Sequence, residues 1–209
     1  MNAQRQMHWN NIYATKPVNG VSWYQDIPEK SLQLIHQFMP VEKQPAVIDV
    51  GGGASRLVDA LWAEGYQSLT VLDIAATALA QSQARLGPAS EHIAWLVADV
   101  TDTVLPHEAY DLWHDRAVFH FLVQPEEQAK YVQLVGKALK PGGVLVMSTF
   151  APDGPEKCSN LTVRRYDCDE VWRIPGPTFK LLLSDRGIHQ TPFQTQQAFS
   201  YCVFQKQNQ

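Results

Sequence analysis

Val47-Ile48-Asp49-Val50-Gly51-Gly52-Gly53-Ala54-Ser55 runs from an apolar, β-branched segment directly into three glycines. Such a nearly continuous apolar run suits a strand covered on both faces, as strands of a parallel sheet are. Glycines at its end let the backbone turn sharply and approach a ligand closely. Beyond them Leu57, Val58, Leu61 and Trp62 recur at helical spacing, and Gly65 stands where a helix stops. Strand, glycine turn and helix together offer unpaired N–H groups at a helix start to a negatively charged group, which points to a nucleotide-type ligand.

Working outward, the same alternation repeats. Strands are expected at 46–50, 69–73, 93–99, 110–114 and 144–150, with a helix at 75–86 that ends at Gly87-Pro88. Another helix starts at Pro125, where a missing N–H costs nothing, and carries Tyr131, Leu134, Val135 and Ala138 on one face. Lys140-Pro141-Gly142-Gly143 then turns the chain into the fifth strand. This is the pattern of an α/β domain. Two flanks differ. His8, Trp9, Tyr13, Trp23 and Tyr24 form an aromatic-rich cap ahead of a helix at 28–39, and the breaker-rich 151–155 precedes strands at 179–183 and 198–204. The whole of 1–209 reads as one domain: a cap at 1–44, a core at 45–150, and an acceptor-side loop with two last strands at 151–209.

Length, composition and charge exclude several classes. The 209 residues suit one domain, and 45% hydrophobic with 18% charged residues excludes disorder. A net charge of −4 without any Lys/Arg run argues against a nucleic-acid partner. The polar start MNAQRQMHWN lacks the apolar centre of a signal peptide, and no apolar run approaches bilayer length. A cytoplasmic protein without a membrane partner is therefore expected. Cys158, Cys168 and Cys202 are odd in number and lack metal-ligand spacing, so free thiols are expected, with no disulfide and no metal.

Asp73, followed by Ile74, closes the second strand, where a carboxylate can accept two hydrogen bonds from a ribose diol across the switch point of the sheet. Asp99 and Val100 close the third, supplying a side-chain acceptor for an adenine amino group beside a backbone N–H for the ring. A dinucleotide fold wants a small residue at the third fingerprint position, which here is Arg56, so NAD is disfavoured. Asp49, immediately before the glycines, is better tolerated beside a cationic ligand than beside a diphosphate.

With these residues in place, the chain resembles the class I methyltransferases that use S-adenosylmethionine. The resemblance covers 45–150 and rests on Asp49 to Gly53, Asp73, Asp99 and the turn from Pro141 to Gly143, in order; Ser55 stands where many members have a third glycine. It implies a three-layer Rossmann-like fold, with a mostly parallel seven-stranded sheet and an antiparallel last strand. It further implies cofactor contacts from Asp49, Gly51, Gly52, Gly53, Ser55, Asp73, Ile74, Asp99, Val100 and Asp115. Trp9, Tyr13 and Trp23 resemble the segment that folds over the cofactor in some protein-lysine and thiopurine- or halide-type methyltransferases; aromatic faces suit a sulfonium, and a satellite hydrophobic cluster is the alternative.

The fourth strand ends in His114-Asp115-Arg116, beside the transferring methyl in that fold. The catalytic candidates are His120 as a base, Asp115 orienting cofactor or acceptor, and Arg116 drawing an acidic group. Where the lysine methyltransferases have Asp-Lys-Gly-Thr, this chain has Asp115-Arg116-Ala117-Val118, which puts lysine as acceptor in doubt. On the following loop, Cys158 is a candidate for a soft acceptor and Arg165 with Tyr166 for a carboxylate. The leading expectation is methyl transfer to a small-molecule or protein side-chain acceptor. A nicotinamide-dependent oxidoreductase and a non-catalytic cofactor-binding module are the alternatives.

Overall fold

The computed structural model describes residues 2–174 and 176–207, apart from the side chains of 172 and 177; the remaining positions of the expected 1–209 domain lie outside the described residues. The chain opens with helices α1 (Ala3–Thr15) and α2 (Glu29–Phe38), then continues β1 (Ala46–Val50), α3 (Leu57–Ala63), β2 (Ser68–Asp73), α4 (Ala76–Leu86), β3 (Ala94–Val97) and β4 (Tyr110–Arg116). A 3-10 turn at Phe119–Phe121 leads to α5 (Pro125–Ala138) and β5 (Leu139–Phe150). A short hairpin, β6 (Lys157–Cys158) and β7 (Leu161–Thr162), precedes α6 (Cys168–Arg173), β8 (Phe179–Gln190) and β9 (Gln196–Lys206).

Seven strands pair in the order β3-β2-β1-β4-β5-β9-β8, the first five parallel and β9 antiparallel to both β5 and β8. Because side chains alternate along a strand, Val47 and Ile48 face opposite layers. Val47 joins a cluster with Leu34 of α2, Leu57 of α3 and Leu79 of α4; Ile48 joins one with Tyr131 and Val135 of α5 and Val171 of α6. The three-layer fold expected from the resemblance is the observed one. From β1 the chain steps outward to β2 on one side and β4 on the other, so the crevice between the C-terminal ends of β1 and β4 is the switch point where ligands of such sheets bind.

Four expectations need correction. Helix α1 covers much of what reads as an irregular cap: Asn2 caps it by accepting from the Arg5 N–H, and only Trp9 is buried, so it has no apolar stripe to betray it. Residues 140–143 lie within β5 rather than ahead of it, with a register irregularity opposite Tyr110 and Leu112. The last two strands are much longer than their apolar centres, because β8 and β9 pair over almost their full length. Finally, Cys168 and Cys202 form a disulfide, their Cα atoms 5.7 Å apart, which overturns the expectation of three free thiols; Cys158 is free and buried. The contact of α6 with β9 brings the two together, a tertiary arrangement that a spacing of 34 residues does not reveal.

Candidate active site

The glycine turn is fixed by its neighbours. Gly51 has φ +71°, donates its N–H to the Leu72 carbonyl (2.7 Å), and any Cβ there would collide with Val118. A Cβ on Gly53, at φ +38°, would lie 2.7 Å from Asp73 Oδ2 and 3.3 Å from the Tyr13 hydroxyl. The turn, the end of β2 and helix α1 thus converge on one point.

The buried acids along this edge are satisfied to different degrees. Asp49 Oδ1 is 2.7 Å from His114 Nδ1, whose Nε2 is 2.9 Å from Ser31 Oγ, while Asp49 Oδ2 has no hydrogen-bond partner among the described residues. Asp73 accepts the Ala75 N–H at 2.8 Å; burial, with Asp49 nearby, pushes its pKa up to about 7 against the N–H bonds it receives. Asp99 accepts the Asn2 N–H and both the N–H and hydroxyl of Thr101. Burial works against its ionisation, but those bonds and Arg5 prevail and hold its pKa below the ordinary range. Asp115 accepts from the N–H groups of Val118 and Phe119 and from the Tyr131 hydroxyl at 2.7 Å; burial still lifts its pKa to about 6.

A cavity opens over this edge, roofed by α1 and the segment after it. Trp9, Tyr13, Trp23, Gly51, Asp73, Ile74, Asp99, Val100 and Arg116, all sequence candidates, line it. Asp49, Gly52 and Ser55 line an adjoining cavity that shares Tyr13, Trp23, Gly51 and Arg116 with the first. Gly53 lines neither, but its carbonyl accepts from Ser82 Oγ (2.7 Å) and anchors the turn to α4. The cap is a packed aromatic wall: the Trp9 ring lies 5.2 Å from Phe121 and 5.7 Å from Trp23, centroid to centroid.

Other candidates are not brought to the cavity. Asp115 is spent on the turn after β4, and neither it nor His120 lines either cavity. His120 is fully buried, with Nδ1 3.4 Å from the Phe150 nitrogen and Nε2 without a hydrogen-bond partner among the described residues. Burial, and then the Arg116 charge, hold its pKa down at about 3, so it is neutral at working pH. Arg165 bonds Gly154 and Glu156, and Tyr166 bonds Gln128 in the core, so neither serves the cavity. Sequence reasoning missed Arg5, Phe121 and Leu122 in the wall, and the Ser31–His114–Asp49 chain. Only Phe121 carried a signal, as the aromatic residue in the turn after the fourth strand. Cys158, weighed as an acceptor contact, does line the cavity.

A sheet of this order, with a glycine turn and acids gathered at its switch point, has the fold of the class I S-adenosylmethionine-dependent methyltransferases. In agreement, residues 47–143 match the model of a methyltransferase domain family. Among curated proteins, the eEF1A lysine and N-terminal methyltransferase of Mus musculus is 25% identical over 143 residues, 65% of this chain and 20% of that protein. The Danio rerio protein of the same name is 23% identical over 149 residues, 70% of this chain and 21% of its own length. This chain therefore spans about a fifth of the length of those relatives. Among solved structures, the N-methyltransferase NodS of Bradyrhizobium japonicum, in complex with S-adenosyl-L-homocysteine, superposes with a TM-score of 0.71 at 17% identity, covering 95% of this chain and 98% of that one. The 1,6-didemethyltoxoflavin-N1-methyltransferase of Burkholderia thailandensis gives 0.69 at 16% identity, covering 98% and 85%. The nicotinamide alternative is not favoured by these matches.

The residues present fit the cofactor of that class. Asp49 Oδ2, buried and unpartnered, suits an ammonium such as the one on its methionine end, and Asp73 suits a ribose diol. Among the described residues no helix is long and apolar enough to cross a membrane and no cluster of potential metal ligands is found.

Proposed function

We propose that this chain transfers a methyl group from S-adenosylmethionine to a small-molecule acceptor held beneath the aromatic cap. The observation that carries the reading is the continuity of one cavity from Asp99 and Asp73, past Gly51, to a wall of Trp9, Trp23 and Phe121. When bound, S-adenosylmethionine supplies an electrophilic methyl on a positively charged sulfur. In this reading the chain's own contribution is placement and exclusion of water. Asp73 accepts from the ribose, Asp99 and the Val100 N–H meet the adenine, and Asp49 with Gly51, Gly52 and Ser55 receives the methionine end. Asp99 already accepts the Asn2 N–H, so the first turn of α1 yields or shares that acceptor when adenine binds. Trp9, Tyr13 and Trp23 close the roof and offer π faces to the sulfonium. Asp115 acts at one remove, by holding the turn that carries Val118 and Phe121. His120, sealed away from the cavity, is given no proton to move.

A cytoplasmic site of action goes with this reading, since that is where the cofactor is made. So does the lack of a nucleic-acid partner, supported by the net charge of −4 without a basic run. A second reading, methylation of a protein side chain, is favoured by the curated relatives, whose names state that they methylate lysine and the N-terminus of eEF1A. Release of S-adenosylhomocysteine, measured with a panel of small thiols, amines and carboxylates and with lysine peptides, separates the two. Turnover confined to peptides would overturn the small-molecule reading.

A further inference from the structure

Arg116 ends β4 as a cation that, among the described residues, forms no ion pair. Its Nε and Nη2 are shut off from solvent and make no hydrogen bond, while Nη1 donates to the Trp23 carbonyl at 3.1 Å. The guanidinium lies over the Phe199 ring, 4.9 Å from its centre. The Tyr201 hydroxyl lies near enough to interact with it, and its charge is also felt by Cys158 and Asp49, but among the described residues no carboxylate forms an ion pair with it. The other cation on the cavity wall, Arg5, is already paired with Glu127 at 2.7 Å. A buried, unpaired guanidinium is costly unless a ligand completes it, and its planar fork is suited to an anion. The cofactor adds a second positive charge to the same enclosed space, which sharpens the need for a negative one.

With Asp73 and Asp99 assigned to the adenosine end, the acceptor side also holds, among the described residues, no group ready to take a proton. Burial pushes the Cys158 thiol up to about 11 and the Tyr13 phenol well above its ordinary value, so both stay protonated, and His120 lies outside the cavity. The remaining wall carries the rings of Trp9, Trp23 and Phe121 beside aliphatic side chains such as Val118 and Leu122. We propose that the acceptor is a small planar molecule with a negative charge at or next to its nucleophilic atom, paired with Arg116 and sandwiched against Trp9, Trp23 and Phe121. The reaction then balances without a base. The acceptor's lone pair forms the bond to the methyl carbon, the methyl–sulfur bond breaks with its pair left on sulfur, and cation plus anion become two neutral products. This inference rests on the proposed methyl-transfer reading. The same carboxylate chemistry is present on the methionine end of the cofactor, and Arg116 borders both cavities, so the test must tell the two sources apart.

The test uses the whole chain and two measurements. In the first, benzoate, benzamide and benzylamine are titrated into protein saturated with S-adenosylhomocysteine. Benzoate is expected to bind best, to weaken about 10- to 100-fold in Arg116→Met, and to recover partly in Arg116→Lys, with S-adenosylhomocysteine affinity kept in both variants. In the second, methyl transfer to 4-nitrothiophenol, an anion at neutral pH, is expected to exceed transfer to benzylamine. Benzamide or benzylamine binding as well as benzoate would overturn the proposal. So would Arg116→Met weakening S-adenosylhomocysteine, but not its analogue 5′-methylthioadenosine, while leaving benzoate untouched; Arg116 would then belong to the cofactor's carboxylate. Failure of the wild-type protein to bind S-adenosylhomocysteine at all is a different result and would remove the underlying reading itself.

Discussion

Asp73 and Asp115 stand at the C-terminal ends of parallel strands of one sheet, the last and the last but one residue of β2 and β4, and both are buried, yet they spend their oxygens differently. Asp115 serves three donors of its own chain: the N–H groups of Val118 and Phe119 and the Tyr131 hydroxyl, which in turn accepts from Trp113 Nε1 at 3.0 Å. Asp73 holds the Ala75 N–H through Oδ1 at 2.8 Å and is only weakly engaged by the Ile74 and Gly53 N–H groups, and its Oδ2 faces the glycine turn at the cavity. The first is a brace for the turn after β4; the second keeps capacity for a ligand. An acid at a strand end is therefore informative only once its acceptors are accounted for.

The contrast can be broken first by stability. Asp115→Ala leaves three buried donors without an acceptor, and a loss of about 3 to 5 kcal/mol is expected in urea unfolding. Asp73→Ala, which removes the acceptor of the short Ala75 N–H bond and of weaker contacts from the Ile74 and Gly53 N–H groups but relieves a repulsion from Asp49, should cost less, about 1 to 2 kcal/mol. Equal losses would erase the distinction. A change of similar size to that of Asp73→Ala is expected from Gly53→Ala, whose Cβ meets Asp73 Oδ2 and Tyr13 at a left-handed φ. About 1 to 2 kcal/mol of stability should go, with a matching loss of S-adenosylhomocysteine affinity in calorimetry. If affinity survives, the turn does not touch the ligand.

Acidity sharpens the comparison further. The Asp73 pKa is raised to about 7, so folding favours its protonated form. The stability this lends is fully present below the ordinary carboxylate range near 4 and is lost as pH climbs through about 7. A ribose diol needs the ionised acceptor, so S-adenosylhomocysteine affinity should rise about tenfold from pH 6 to pH 8. Asp73→Asn should flatten that rise, and a slope that persists would assign it elsewhere. The smallest effect belongs to His120→Gln. Because His120 stays neutral above about 3, the pH–rate profile should keep its shape, with about 1 kcal/mol of stability lost. A lost limb near pH 6 to 7 would restore it as a base.

The sheet was readable because strands buried on both faces leave apolar runs such as Val47 to Val50, and because glycine turns and helix periodicity punctuate them. The acids and glycines of the cavity were readable for the same reason, since their order along the chain tracks their order along the sheet edge. What stayed hidden depends on tertiary contact. Helix α1 has one buried residue and is held by Asn2 and by Gln6 bonding the Ile74 carbonyl, neither of which has a periodic signature. The Ser31–His114–Asp49 chain joins residues up to 83 apart. His120 and Asp115 looked catalytic by position alone, and only burial and partner geometry separate them from Arg116, four residues and one residue away.

The central claim is that the crevice at the switch point, along the C-terminal ends of β1, β2 and β4, holds the adenosine and methionine of one cofactor. Calorimetric titration of S-adenosylhomocysteine into the wild-type chain and Asp73→Ala, with NAD as the control ligand, tests it most directly. The account predicts one site in the wild type, affinity reduced by about 1.5 to 3 kcal/mol per lost bond in the variant, and no NAD binding. Equal affinity in both proteins, or NAD binding in place of S-adenosylhomocysteine, would contradict it.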